Sequence, residues 1–227
     1  MPLIIIILAI LALVFGPQLW VKNTLRKYGK DRPDLQGTGS ELANHLINRY
    51  HLKEVSVREG KEGEDYYDPE TKVVSLSSSN YHGRTIAAVA VATHEVSHAL
   101  QHQEQYPGFM RRQRRIKAAV MIERFSAIAL MATPFIFLLT RLPQSTVVIL
   151  LLGASGMLAS LWVQLVNLPV EMDASFNKAL PILEERYLSS QDLPGARKVL
   201  KAAAITYVAA ALTSLLNIGR WIEILRR

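Results

Sequence analysis

Four apolar stretches punctuate the chain, and the polar segments between them carry different periodicities. The first runs from Met1 to Val21 without a charged side chain, and Leu3 to Phe15 is almost wholly aliphatic. With its flank it is long enough to cross about 30 Å of hydrocarbon. Leu142 to Val170 carries no charge and is centred on the run from Val147 to Leu152, which predicts another span. Phe125 to Thr140 is apolar but short. It makes a full span only by starting near Ala118 and taking Glu123 and Arg124 into its first turns, where they snorkel or pair. The brief turn Arg141-Leu142-Pro143-Gln144 makes these two an antiparallel hairpin. Ala202 to Gly219, uncharged but rich in Ala and Thr, either crosses or packs inside a bundle.

The polar segment after the first stretch reads differently. Gly37-Thr38-Gly39-Ser40 is a cap, and Glu41-Leu42-Ala43 begins a helix to about Tyr50 with Leu42, Leu46 and Ile47 on one face. Glu54 to Arg58 alternates as a strand does. After the Gly-rich turn Glu59 to Gly63, Tyr66-Tyr67 and Lys72 to Leu76 form a hairpin around Asp68-Pro69-Glu70-Thr71. Ala87 to Gln105 has neither Gly nor Pro and predicts a helix, largely apolar through its first two turns. The chain carries no internal repeat and no low-complexity tract.

Composition agrees with a membrane reading, since half of the 227 residues are hydrophobic. The net charge of +7 does not imply nucleic acid, because the positives gather beside apolar segments: Lys22, Arg26, Lys27 and Lys30, then Arg111, Arg112, Arg114, Arg115 and Lys117. No aromatic-and-basic interleaving suggests a base-stacking surface. Basic residues follow the first apolar core instead of preceding it, so it reads as an uncleaved anchor. The positive-inside rule puts residues 22–117 and 169–201 in the cytoplasm. It conflicts with a fourth crossing, which would leave Arg220, Arg226 and Arg227 outside. There is no cysteine, so any metal site must be built from His, Asp and Glu.

His94-Glu95-Val96-Ser97-His98 lies inside the predicted helix. Residues four apart share a helix face about 6 Å apart along the axis, so His94 and His98 present two imidazoles to one point, with Glu95 one residue round. Zinc held by two neutral imidazoles and a carboxylate keeps a position for water, and Glu95 is placed as the general base. The surrounding helix, from Ala87 to Thr93 and on through Val96, Ala99 and Leu100, is free of charge. Unpaired polar groups there cost free energy, and coordination to one zinc ion satisfies all three.

The next histidine four residues on, His102, lies about 9 Å along the axis from a metal midway between the first two. The glycine that turns the chain in three-histidine zinc motifs is missing from Ala99-Leu100-Gln101. His102 is therefore expected at the rim of the site. The hairpin returns the chain to the face it left, so Glu171 and Asp173 emerge beside the histidine helix. One of them can bind zinc while the other orients an imidazole. Tyr81 and His82, just before the helix, are candidate oxyanion donors.

These motifs resemble the bacterial membrane-bound neutral zinc metallopeptidase family, distantly similar in arrangement to the heat-shock membrane proteases and the CAAX prenyl proteases. The resemblance is carried by Tyr67-Asp68-Pro69, Lys72 to Ser77, Tyr81 with Gly83-Arg84, Val91 to Gln101, and Leu168 to Ser175. It implies zinc on His94 and His98, Glu95 as catalytic base and Glu171 as third ligand ahead of Asp173. Ser97 stands where the family pattern suggests glycine, and Glu171-x-Asp173 is shorter than the Glu-x-x-x-Asp of soluble relatives. By analogy with zinc peptidases, a substrate strand adds to an edge strand at Lys72 to Ser77.

The expected fold is a mainly α membrane protein with three to four transmembrane helices and a small α/β zincin-like module. Its parts are an anchor (1–21), the module (22–117), the transmembrane hairpin (118–168), a cytoplasmic segment with the third ligand (169–201) and a last membrane helix and tail (202–227). The expected activity is hydrolysis of peptides or membrane proteins at the bilayer. The alternative is a proteolytically inactive, zinc-stabilised membrane scaffold or regulator. A channel reading rests only on Glu123 and Arg124, which sit too near a span's end to carry it.

Overall fold

Caps and turns set the boundaries of the polar elements. A computed structural model describes residues 2–141, 151 and 162–215. After α1 (Pro2–Tyr28), α2 spans Gly39–Arg49, and Thr38 caps it by accepting from the Glu41 N–H. The Glu41 carboxylate accepts the Thr38 N–H in return at 2.7 Å, which closes a capping box. Ala43, Leu46 and Ile47 form the buried face of α2. A Cβ on Gly39 would stand 2.2 Å from the Asn80 carbonyl oxygen and 3.0 Å from that of Ala88. The lack of a side chain there lets the first turn of α2 lie against neighbouring backbone.

Three strands follow: β1 (Ser56–Gly60), β2 (Tyr66–Asp68) and β3 (Val73–Ser77). Asp68 shapes the β2–β3 turn by accepting from the Glu70 N–H at 2.9 Å and the Thr71 hydroxyl at 2.6 Å. The expected hairpin forms, with Tyr67 opposite Val74. The sheet order is β1-β3-β2, and β3 also pairs in parallel with β1, Val57 opposite Val74. This corrects the expectation of an edge strand at Lys72 to Ser77. Both edges of β3 are occupied, so no substrate strand can join it. Residues Val74 to Ser77 are all buried, a pattern that does not alternate.

The short α3 (Ser78–Tyr81) leads to α4 (Ile86–Gln103). Thr85 caps α4 by accepting from the Ala88 N–H at 2.9 Å. Every residue of α4 from Ile86 to Gln101 is buried, so the helix that carries the histidines is the axis of its core. Next come α5 (Pro107–Thr140) and α6 (residues 162–172). A π-helical turn (Asp173–Ala179) runs directly into α7 (Leu180–Arg186), and α8 covers Leu193–Leu215. Pro181 offers no N–H and its ring crowds the carbonyl four residues back in α geometry. The wider turn before it accommodates this, with the Leu180 N–H donating to the Ser175 carbonyl five residues earlier.

The chain divides into two compact units, one of Met1–Gly16, Arg111–Asn167 and Tyr207–Arg227, the other of Pro17–Met110 and Leu168–Thr206. The second unit holds a core in which Leu46, Leu76, Leu183 and Leu200 are fully buried. Each such side chain contributes roughly 1.5–3 kcal/mol relative to exposure.

Among the described residues, no helix is long and apolar enough to cross a membrane. This overturns the expected fold of three to four transmembrane helices; the protein is mainly helical with a small three-stranded sheet. The aliphatic run at residues 3–15 covers only about 20 Å at 1.5 Å per residue before Gly16, Pro17 and Gln18 interrupt it. In α5, the run after Arg124 covers about 24 Å. Each strictly apolar run, taken without its flanks, is shorter than about 30 Å. The central span expected at Leu142 to Val170 lies mostly outside the described residues, as do residues 216–227.

Candidate metal centre

His94, His98 and Glu171 come together in the second unit, each buried. One ligand atom from each lies within 4.8 Å of the others. The spacing of four places both rings on one side of α4, with centroids 4.7 Å apart and planes at 76°. Glu171 arrives from α6, and its Oε2 lies 3.1 Å from His98 Nε2 and 3.3 Å from His94 Nε2. A tetrahedral ion with bonds of about 2.0–2.1 Å spaces its ligand atoms by roughly 3.3 Å. The donor set and its spacing therefore fit zinc.

The far sides of both rings are tied to buried groups. His94 Nδ1 lies 3.0 Å from the Ser175 hydroxyl, which also donates to the Leu200 carbonyl at 3.0 Å. His98 Nδ1 lies 2.9 Å from Gln101 Oε1. The Gln101 amide nitrogen donates to the Val170 carbonyl at 3.0 Å and to Asp173 Oδ2 at 2.8 Å. Asp173 in turn accepts from the Asn177 amide at 2.9 Å. Glu171, Asp173 and Ser175 each meet a side chain of α4: Glu171 the two imidazoles, Asp173 the Gln101 amide and Ser175 the His94 ring.

Gln101 and Ser175 are absent from the site residues expected from sequence. The signal for them was spacing, since Gln101 follows His98 by three residues on an otherwise apolar helix and Ser175 follows Glu171 by four. Asp173 reaches the Gln101 and Asn177 amides, not an imidazole, among the described residues. Glu95 is buried beside His94. Ser97, at the position expected to favour glycine, is fully buried and donates to the Thr93 carbonyl at 2.8 Å.

The remaining expected residues have other partners. His102 Nδ1 shares a 2.9 Å hydrogen bond with the Tyr67 hydroxyl. Burial, and secondarily the charge of Lys72, holds the His102 imidazole below its ordinary range. Burial, with the charge of Asp68 second, pushes the Tyr67 phenol up to about 12. His82 is exposed and pairs with Glu59 at 3.1 Å. Tyr81 meets the His82 ring edge-on, centroids 4.9 Å apart.

Comparison with known proteins accords with this donor set. Residues 3–226 match a family model described as "Putative neutral zinc metallopeptidase", which bears out the resemblance to that family read from the motifs. The chain is 39% identical over 223 residues to the "Putative membrane protease YugP" of Bacillus subtilis (strain 168), covering 97% of this chain and 95% of that protein. No solved structure matches.

Proposed function

The chain belongs to the neutral zinc metallopeptidase family, and from that membership we propose a zinc-dependent endopeptidase with its metal on His94, His98 and Glu171 and with Glu95 as general base. The observation that carries this reading is the convergence of two imidazole Nε2 atoms on one carboxylate oxygen in a buried site. Imidazole Nε2 atoms that carry no hydrogen and an ionised carboxylate offer only electron pairs to one another, and gathering them out of water is costly without a cation between them. Three protein ligands leave a coordination position open, whereas structural zinc sites are closed by four.

Bound there, zinc supplies a Lewis acid that polarises the scissile carbonyl and lowers the pKa of water. His94, His98 and Glu171 hold and orient. The Glu95 carboxylate takes a proton from the attacking water, whose oxygen bonds to the carbonyl carbon. It then passes that proton to the amide nitrogen as the C–N bond breaks. The buried walls of α4 keep other water from this exchange.

The name of the Bacillus relative and the exposed Ile4, Ile5, Leu8, Leu11, Phe15, Leu19 and Trp20 of α1 support a place of action at a membrane surface. The basic residues that follow in α1, Lys22, Arg26 and Lys27, suit an anionic cytoplasmic leaflet. The substrates are then peptides or membrane proteins whose polypeptide reaches that surface.

The deciding comparison is a membrane proteome exposed to wild type and to Glu95→Gln, with new termini read by mass spectrometry. The reading predicts new termini with wild type alone, while both proteins keep zinc. Equal cleavage by both zinc-loaded proteins would reject Glu95 as base. No cleavage by zinc-loaded wild type favours a zinc-stabilised scaffold.

A further inference from the structure

We infer that Gln101 is a positioning residue for the metal centre, and that Asp173 acts on His98 only through it. The reason lies in which atoms own hydrogens. The Gln101 side chain meets three groups: His98 Nδ1, the Val170 carbonyl and Asp173 Oδ2. The last two are acceptors only, so the NH2 group must face them. A flipped amide would set its oxygen against a carbonyl and a carboxylate in a buried site, leaving both of those contacts without a hydrogen. Its oxygen therefore faces His98, and because that oxygen only accepts, His98 Nδ1 carries the proton. The Nε2 lone pair then points at Glu171.

Ser175 does the same for the other ring. Its single hydrogen goes to the Leu200 carbonyl, so toward His94 Nδ1 the hydroxyl can only accept. Both imidazoles are thus set as Nδ1–H tautomers with Nε2 free for a metal. The two devices differ in consequence. Ser175 is locked by backbone, whereas the Gln101 amide is locked partly by Asp173, a carboxylate on the π-helical turn. The acid two residues beyond Glu171 works at one remove, and a neutral amide oxygen stands where zinc sites often place a carboxylate against the ligand histidine.

This role rests on the zinc-site reading above, and the test separates the two. Zinc affinity of the full chain is measured by chelator competition for wild type, Gln101→Leu, Gln101→Glu and the double variant Gln101→Glu/Asp173→Asn. Both single variants should bind zinc about 10–100-fold more weakly, Gln101→Leu for lack of an acceptor and Gln101→Glu because two carboxylates collide. The double variant gives the new carboxylate an amide donor at position 173 and should recover most of the loss, which a merely structural role for Gln101 does not predict. Unchanged affinity in both single variants, or no recovery in the double variant, overturns the inference. If wild type binds no zinc, the zinc-site reading fails, and nitrogen-15 NMR of the folded chain at about pH 9, above the ordinary imidazole range, decides the inference alone. It predicts Nδ1–H at His98, lost in Gln101→Leu; Nε2–H at His98 in wild type overturns it.

Discussion

Nε2 of His98 lies 3.1 Å from Oε2 of Glu171 across 73 residues of sequence. The contact joins α4 to α6 inside a core that excludes water, so a cation placed there ties two distant segments together. Metal binding and stability of the second unit are therefore linked.

Removing the carboxylate should break that link. Glu171→Ala should weaken zinc binding by more than about 100-fold, the upper end for residues that merely orient a ligand, as read by chelator competition. Chelation of the wild type should lower its resistance to denaturant. Free zinc at a thousand times the dissociation constant adds about 4 kcal/mol, so the urea midpoint should rise with zinc in wild type and stay flat in Glu171→Ala.

Two glycines should respond in opposite directions to the same change. Gly39→Ala drives a methyl group into the Asn80 and Ala88 carbonyls and should cost about 1–3 kcal/mol. Gly16 lies within α1 with nothing within 4 Å of its Cβ position. Gly16→Ala should be neutral or stabilise by roughly 0.5–1 kcal/mol through helix propensity. Urea unfolding of the two variants against wild type measures both.

His102 carries a pH signature outside the metal ligands. Its folded pKa is depressed by burial, so the unfolded chain takes up this proton first as pH falls. The stability contributed by the neutral ring is complete above about 6.5, the ordinary imidazole value. It is lost as pH falls from there through the folded value. His102→Gln should remove that part of the acid limb while leaving zinc affinity unchanged, because its partner is Tyr67. A loss of zinc affinity would place His102 in the metal site after all.

Much of the site was legible because helix geometry alone brings residues four apart together. His94 and His98 needed only the absence of Gly and Pro around them, and Asp68 with Thr71 marked the hairpin turn. What was not legible depends on neighbours. Alternation in Val73 to Ser77 cannot reveal that β1 pairs with its second edge. Gln101 is an ordinary polar residue until Val170 and Asp173 orient its amide. The π-helical turn breaks the 3.6-residue period on which sequence reading relies. Apolar length also misled: among the described residues no helix is long and apolar enough to cross a membrane.

Zinc K-edge absorption spectroscopy on the purified full chain, paired with its metal content, decides whether His94, His98 and Glu171 hold zinc. About one zinc per chain is expected, with two imidazole nitrogens and at least one oxygen at about 2.0–2.1 Å, and that zinc should be lost in Glu171→Ala. A wild-type chain that retains no zinc, or a zinc that survives unchanged in Glu171→Ala, would contradict this assignment.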